Sequence, residues 1–268
     1  MNPLDSLGDE VNELVSSFAS TPIAGNLETV GFTQYRFWFA VAVLLMLAVV
    51  FVFKAKQSAS LVPQGRFVNA VEFVIEFVRD DMCKGILGDT WRRHFPFIAT
   101  LFMVVLANNV VGVIPGCKPG TGTISITAAL ALFSFVYFIY CGVKKHGALG
   151  YVKSLAPAGV GFPINILVWC IELFSTFLRL VTLAVRLFCN LFAGHIVMGT
   201  FAILASLFFE PMLQAFSVAA AAQATASIMW VAILIVIYAV EIMVAAIQAY
   251  VFALLSAVYI QLAENDEH

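Results

Sequence analysis

Residues Ile171–Ile196 read IELFSTFLRLVTLAVRLFCNLFAGHI, and this stretch decides the fold. It sits within 110 residues, Ser154 to Ala263, that carry only five formal charges: Glu172, Arg179, Arg186, Glu210 and Glu241. An arginine at the centre of a membrane helix costs about 2.5–3.5 kcal/mol on insertion scales, so one retained there marks a functional site. Glu172, Arg179 and Arg186 are spaced by seven. Seven residues make two helical turns, so the three form one polar stripe with steps of about 10.5 Å. Asn190 extends it, four residues beyond Arg186. A stripe of this kind must face another polar surface, a water-filled cavity or a partner. Arg179 has an alternative, which is to snorkel towards lipid head groups. Arg186, deep in apolar sequence on both sides, does not.

Working outward, the whole chain is apolar. Its 268 residues are 62% hydrophobic and 11% charged, with a mean hydropathy of +0.98. That composition belongs to a polytopic all-α membrane protein. No run of bases exceeds two Lys or Arg residues, which gives nucleic-acid binding no support. Five scattered cysteines without a C-x-x-C read as apolar filler, not as metal ligands or disulfides. Of four histidines, only His195 lies deep in an apolar segment, which counts against an intramembrane haem and leaves no cofactor expected. The first 18 residues hold four acids and no base, unlike a signal or transit peptide.

The chain divides as a single membrane domain over residues 1–268. Residues 1–35 form an exposed or interfacial tail, and 36–56 a first crossing helix closed by Lys54 and Lys56. Residues 66–84 place Asn69, Glu72, Glu76, Arg79 and Asp80 on a helical period, with Phe73, Ile75, Phe77 and Val78 filling much of the rest. This predicts an amphipathic helix lying at the membrane interface, or packed on a soluble partner. Residues 95–114 and 124–143 form a helical hairpin around the PGCKPGTG turn. Residues 162–209 lack proline after Pro163, and 212–263 lack both glycine and proline. As straight helices each would run roughly 70–80 Å, against a hydrocarbon core of about 30 Å. The pattern therefore predicts two very long, tilted, antiparallel helices joined by a hairpin at Phe209–Glu210–Pro211. In all there are about five crossing helices and one interfacial helix. The excess of Lys and Arg in 54–94 and 144–153 places the N-terminus outside and the C-terminal tail in the cytoplasm or its organellar equivalent.

The last helix carries a second polar set, Glu241 and Gln248, again seven apart. With Gln248 level with Arg186, the helical rise brings His195 and Glu241 to similar heights, nearer the outside. Glu172 lies towards the inside. Histidine and carboxylate exchange protons near neutral pH; arginine stays charged. A carboxylic acid on another chain must be protonated to face lipid, and beside Arg186 it favours the ionised form. Two proton pools separated by one fixed cation make a coupling device and not an open pore.

Ala184–Val185–Arg186–Leu187–Phe188–Cys189–Asn190–Leu191–Phe192–Ala193–Gly194–His195 resembles the R-L-x-x-N-x-x-A-G-[HE] signature of the a subunit of F-type ATP synthases. Glu241 to Leu255, with Gln248–Ala249–Tyr250–Val251–Phe252, resembles that family's final-helix motif. The likeness covers about Leu61 to Leu262; Cys189 departs from the usual small residue. The resemblance implies that Arg186 is the stator arginine, with Gln248 and Asn190 near it. It assigns His195 and Glu241 to an outer half-channel and Glu172 to an inner one. It implies as partners the c-ring proteolipid subunits, peripheral-stalk b-type subunits and the rest of the ATP synthase. The location it implies is a bacterial cell membrane, or alternatively a mitochondrial inner membrane, and no catalytic site belongs to the chain itself. A free-standing secondary transporter would instead show inverted repeats and broken helices, which the unlike halves and the glycine-free last helix do not suggest. If His195 and Glu241 have symmetric roles, exchanging them should do less harm than deleting either.

Overall fold

The computed structural model describes residues 7–18, 22–24, 32–56, 65–154, 164–214 and 218–264. In chain order these form α1 (Leu7–Ser17), a minimal antiparallel pairing of β1 (Pro22–Ala24) with β2 (Phe32–Thr33), and α2 (Gln34–Lys56). There follow α3 (Arg66–Phe77), α4 (Gly85–Leu87), α5 (Trp91–Val113), α6 (Ile124–His146), α7 (Ala148–Ser154), α8 (Ile164–Gln214) and α9 (Val218–Glu264). The fold is that of an all-α polytopic membrane protein. Among the described residues, five helical stretches are long and apolar enough to cross a bilayer.

Length accounts for the geometry of the last two helices. Helix α8 has 51 residues and α9 has 47, about 77 and 70 Å along their axes. Both greatly exceed the hydrocarbon thickness, so they must lie tilted or extend past it. They run antiparallel, as three contacts between them establish. Ser227 donates a hydrogen bond to the Ala205 carbonyl at 2.8 Å. The carboxyl of Glu241 lies against Gly194. The guanidinium of Arg179 sits 5.5 Å from the ring centre of Tyr259. Each step down one helix is thus met by a step up the other.

Close approach follows from side-chain size. Ala245, Ala249, Ala253 and Ala257 recur every four residues on α9, and all are fully buried. Small residues let helix backbones come together where lipid supplies no hydrophobic drive for association. Leu183, Leu187 and Leu191 of α8, Ile98, Phe102 and Val105 of α5 and Phe138 of α6 belong to the same core. Ser134 of α6 donates to the Ser256 hydroxyl of α9 at 2.7 Å, giving two hydroxyls a partner away from water. The outward faces stay apolar: Leu44 and Phe51 on α2, Phe133 on α6, Phe174 on α8 and Ile235 on α9 are all exposed. Such a surface suits lipid and not water.

Two boundaries differ from the sequence reading. Helix α8 passes through Phe209–Glu210–Pro211 and ends at Gln214, so no hairpin lies at 209–211. Pro211 has no N–H to give to the Leu207 carbonyl, so the helix passes it with one backbone bond missing and stops three residues later. The connection falls at 215–217, outside the described residues. The amphipathic helix over 66–84 changes character inside its span: α3 stops at Phe77 and Val78–Lys84 winds as a π-helix. Gly88, at φ +54°, then turns the chain into α5.

Candidate functional site

Arg186 projects from the middle of α8, next to the buried Leu187. Its Nε and Nη2 are out of contact with solvent and have no hydrogen-bond partner among the described residues. Asn190 Nδ2 on the same helix shares that condition, as do Glu241 Oε1 and Gln248 Nε2 on α9. Buried polar groups nearly always find partners; Asn165 and Trp230 are further exceptions on the same two helices, and these four lie in their central portion. The antiparallel register sets Gln248 within about one turn of Arg186's level and Glu241 at the level of Gly194 and His195.

His195 is held firmly. Its Nδ1 lies 2.9 Å from the Leu191 carbonyl, and its Nε2 lies 2.9 Å from the carbonyl of Gly112 at the end of α5. Both neighbours are acceptors, so a neutral ring donates to one of them and a protonated ring to both. Glu241 approaches from the other helix. A methyl group added at Gly194 would collide with every atom of its carboxyl group, so any larger residue there has to move that carboxyl. His195 and Glu241 are therefore neighbours in the fold, but among the described residues no hydrogen bond or ion pair joins them.

Glu172 does not stand alone. Arg179 reaches back two turns along α8 to its carboxylate, Nη2 to Oε1 2.9 Å, while stacking over Tyr259. The pair is part-exposed, with 24% of the Arg179 side chain and 41% of that of Glu172 accessible. Of the polar stripe on α8, then, Arg179 has a carboxylate and Arg186 has none among the described residues.

A comparison with known families gives the context for these positions. Residues 36–261 match the family described as ATP synthase A chain. The chain belongs to that family. A Rhodococcus erythropolis protein named "ATP synthase subunit a" is 39% identical over 219 residues, covering 80% of this chain and 77% of its own. One from Rubrobacter xylanophilus is 38% identical over 204 residues, covering 74% and 72%. One from Chlorobium phaeobacteroides is 38% identical over 233 residues, covering 86% of this chain and 64% of its own. The chain thus spans somewhat less than two thirds of the Chlorobium relative's length.

The family match begins after α1, which the sequence reading left as a tail. No residue of α1 is fully buried, yet it is docked on α8. Leu14 packs onto Gly199, and the Phe18 ring stands edge-on to Phe192 and to His195, at 5.4 and 6.2 Å. Lys118 donates to the Ser17 carbonyl at 2.6 Å, and the Tyr35 hydroxyl to that of Phe18 at 3.0 Å. Asn109 is also more than a polar residue in a span. It donates to the Ala245 carbonyl of α9 at 3.2 Å and accepts from Thr121 at 3.0 Å, tying the α5–α6 turn to α9. Its only sequence signal is polarity inside an apolar helix.

His195 is half-buried, and a second histidine is buried more deeply. His94 on α5 has no accessible surface. Its Nδ1 is 3.1 Å from the Tyr137 hydroxyl and its Nε2 is 3.2 Å from Glu264 Oε1, an ion-pair contact without good hydrogen-bond alignment. In sequence it follows Arg92 and Arg93 near a helix start and reads as interfacial; its burial comes from α6 and α9 folding over it. His94, Cys141 and Glu264 offer donor atoms within 4.8 Å of one another, a spacing a metal ion could use. The adjoining cavity is lined by Arg93, Lys144 and Lys145, a field that opposes a cation, so no metal is assigned to it.

Proposed function

We propose that this chain is the proton-translocating stator subunit of an F-type ATP synthase. On this reading two offset half-channels carry protons to and from a rotor carboxylate, and Arg186 blocks the short circuit between them. One observation carries the reading. Arg186 is a permanent cation in an apolar helix, with buried donors that no described group on this chain satisfies. A carboxylate carried past it by another subunit supplies the missing partner and loses its proton on arrival. Before and after that encounter the same acid faces lipid and must be protonated. The outer path runs through Glu241, lodged against Gly194, and through His195, the next residue on α8. The inner path runs by Glu172, whose carboxylate Arg179 holds at its place on the helix. Gln248 and Asn190 bring amide groups to the arginine's surroundings.

The partners that follow are the c-ring proteolipids, the b-type subunits of the peripheral stalk and the soluble head, where ATP chemistry takes place. A bacterial cell membrane is the proposed location. Purification in a mild detergent tests the assembly. The chain should bring with it a very small hairpin protein bearing one intramembrane carboxylate, together with a soluble ATPase. Recovery of the intact chain alone, from membranes that do contain an assembled ATP synthase, would contradict the reading.

A further inference from the structure

We infer that the inner face of the protein holds a binding site for one anionic phospholipid, with its phosphate seated between Arg93 and Lys144. A cavity of about 510 Å³ opens there; Leu87 apart, its lining is polar, formed by Thr90, Arg93, Lys144, Lys145, Gln261 and Glu264. Three of these six are bases, drawn from the start of α5 and the end of α6. Neither Arg93 nor Lys144 has a carboxylate partner among the described residues. Lys145 donates to the carbonyl of Glu264. The one acid, Glu264, is turned towards His94, 3.2 Å from its Nε2. The net field in the cavity is therefore positive, and Thr90 and Gln261 add neutral donors of the kind a phosphate or glycerol head group accepts.

The surface leading into the cavity selects a lipid over a free anion. Phe133, Val136 and Tyr140 follow one another on α6 at helical spacing and are 70%, 56% and 54% exposed. Lys144 continues the same face, its ammonium 5.7 Å from the centre of the Tyr140 ring. An acyl chain lying along this apolar strip delivers its head group directly to the bases. Lys144 and Lys145 also lie at the end of α6 that the Lys and Arg distribution places on the cytoplasmic side, the side of the more anionic leaflet.

The test uses the assembled complex, purified in detergent and stripped of lipid. Short-chain phosphatidylglycerol is titrated in, with phosphatidylcholine of the same chains and inorganic phosphate as the comparison arms. Bound lipid is counted by native mass spectrometry. Each base near an anionic surface is worth about a fivefold change in affinity. Phosphatidylglycerol retention should therefore fall roughly twentyfold in Arg93→Gln/Lys144→Gln and be kept in the charge-preserving Arg93→Lys/Lys144→Arg. Equal retention of the two lipids, unchanged phosphatidylglycerol binding in the double glutamine variant, or full displacement of the lipid by phosphate would each overturn the assignment. If the glutamine variant fails to assemble, the salt dependence of lipid retention in the unaltered complex replaces it. Loss of retention at high salt is the expected result, and indifference to salt is the contrary one.

Discussion

At the scale of single residues, the closeness of Glu241 to Gly194 makes the strongest demand on sequence. Gly194→Ala forces the carboxyl aside; because the displaced group is the end of a flexible side chain, the change acts on the position of the carboxyl and little on stability. ATP-driven proton pumping should drop severely in Gly194→Ala while the complex still assembles; pumping at the unaltered rate would mean that the carboxyl position is unimportant. His195 divides into two roles that a substitution can separate. Glutamine at 195 can still donate to the Gly112 carbonyl but cannot relay a proton. His195→Gln should keep assembly and thermal stability near those of the unaltered complex and lose most of the proton flux, and unchanged flux would reduce His195 to a packing residue. The exchange of His195 and Glu241 that symmetry suggested now looks different. A carboxylate at 195 would face two carbonyl acceptors, so the double exchange should do no better than either single deletion in the same flux assay. The sequence made Arg186, His195 and Glu241 visible because each is a costly residue in apolar surroundings. It could not reveal the two carbonyls, because they are backbone groups brought together by folding.

At the scale of elements, the long helices were legible because they lack breakers. A 52-residue run without glycine or proline, 212–263, admits few other structures. The turn between them falls after Pro211 and not at it, because α8 runs three residues past a proline that ordinarily ends a helix, and no sequence pattern marks that continuation. The π-helix at Val78–Lys84 and the burial of His94 were illegible for a different reason: both depend on neighbouring helices and leave no local pattern. The inner end of α8 gives a test of orientation. A cysteine at 172, in a chain cleared of its five native cysteines, should react with a water-soluble thiol reagent from the cytoplasmic side. Reaction from the opposite side only would invert the topology.

At the scale of the whole molecule, an apolar bundle presents a long tilted pair, α8 and α9, whose polar groups lie at three levels. Glu172 with Arg179 lies towards the start of α8, Arg186 with Gln248 midway along the pair, and His195 with Glu241 further on. The proposed function requires these levels to be separate aqueous compartments divided by one charge. That is the central claim, and Arg186→Ala tests it most directly. The complex carrying this substitution is purified, its subunit content is checked, and ATP-driven acidification is followed in vesicles alongside passive proton leak. Full assembly with pumping abolished, and a passive leak equal to or above that of the unaltered complex, is the expected result. Near-normal pumping by fully assembled Arg186→Ala complexes would contradict the account.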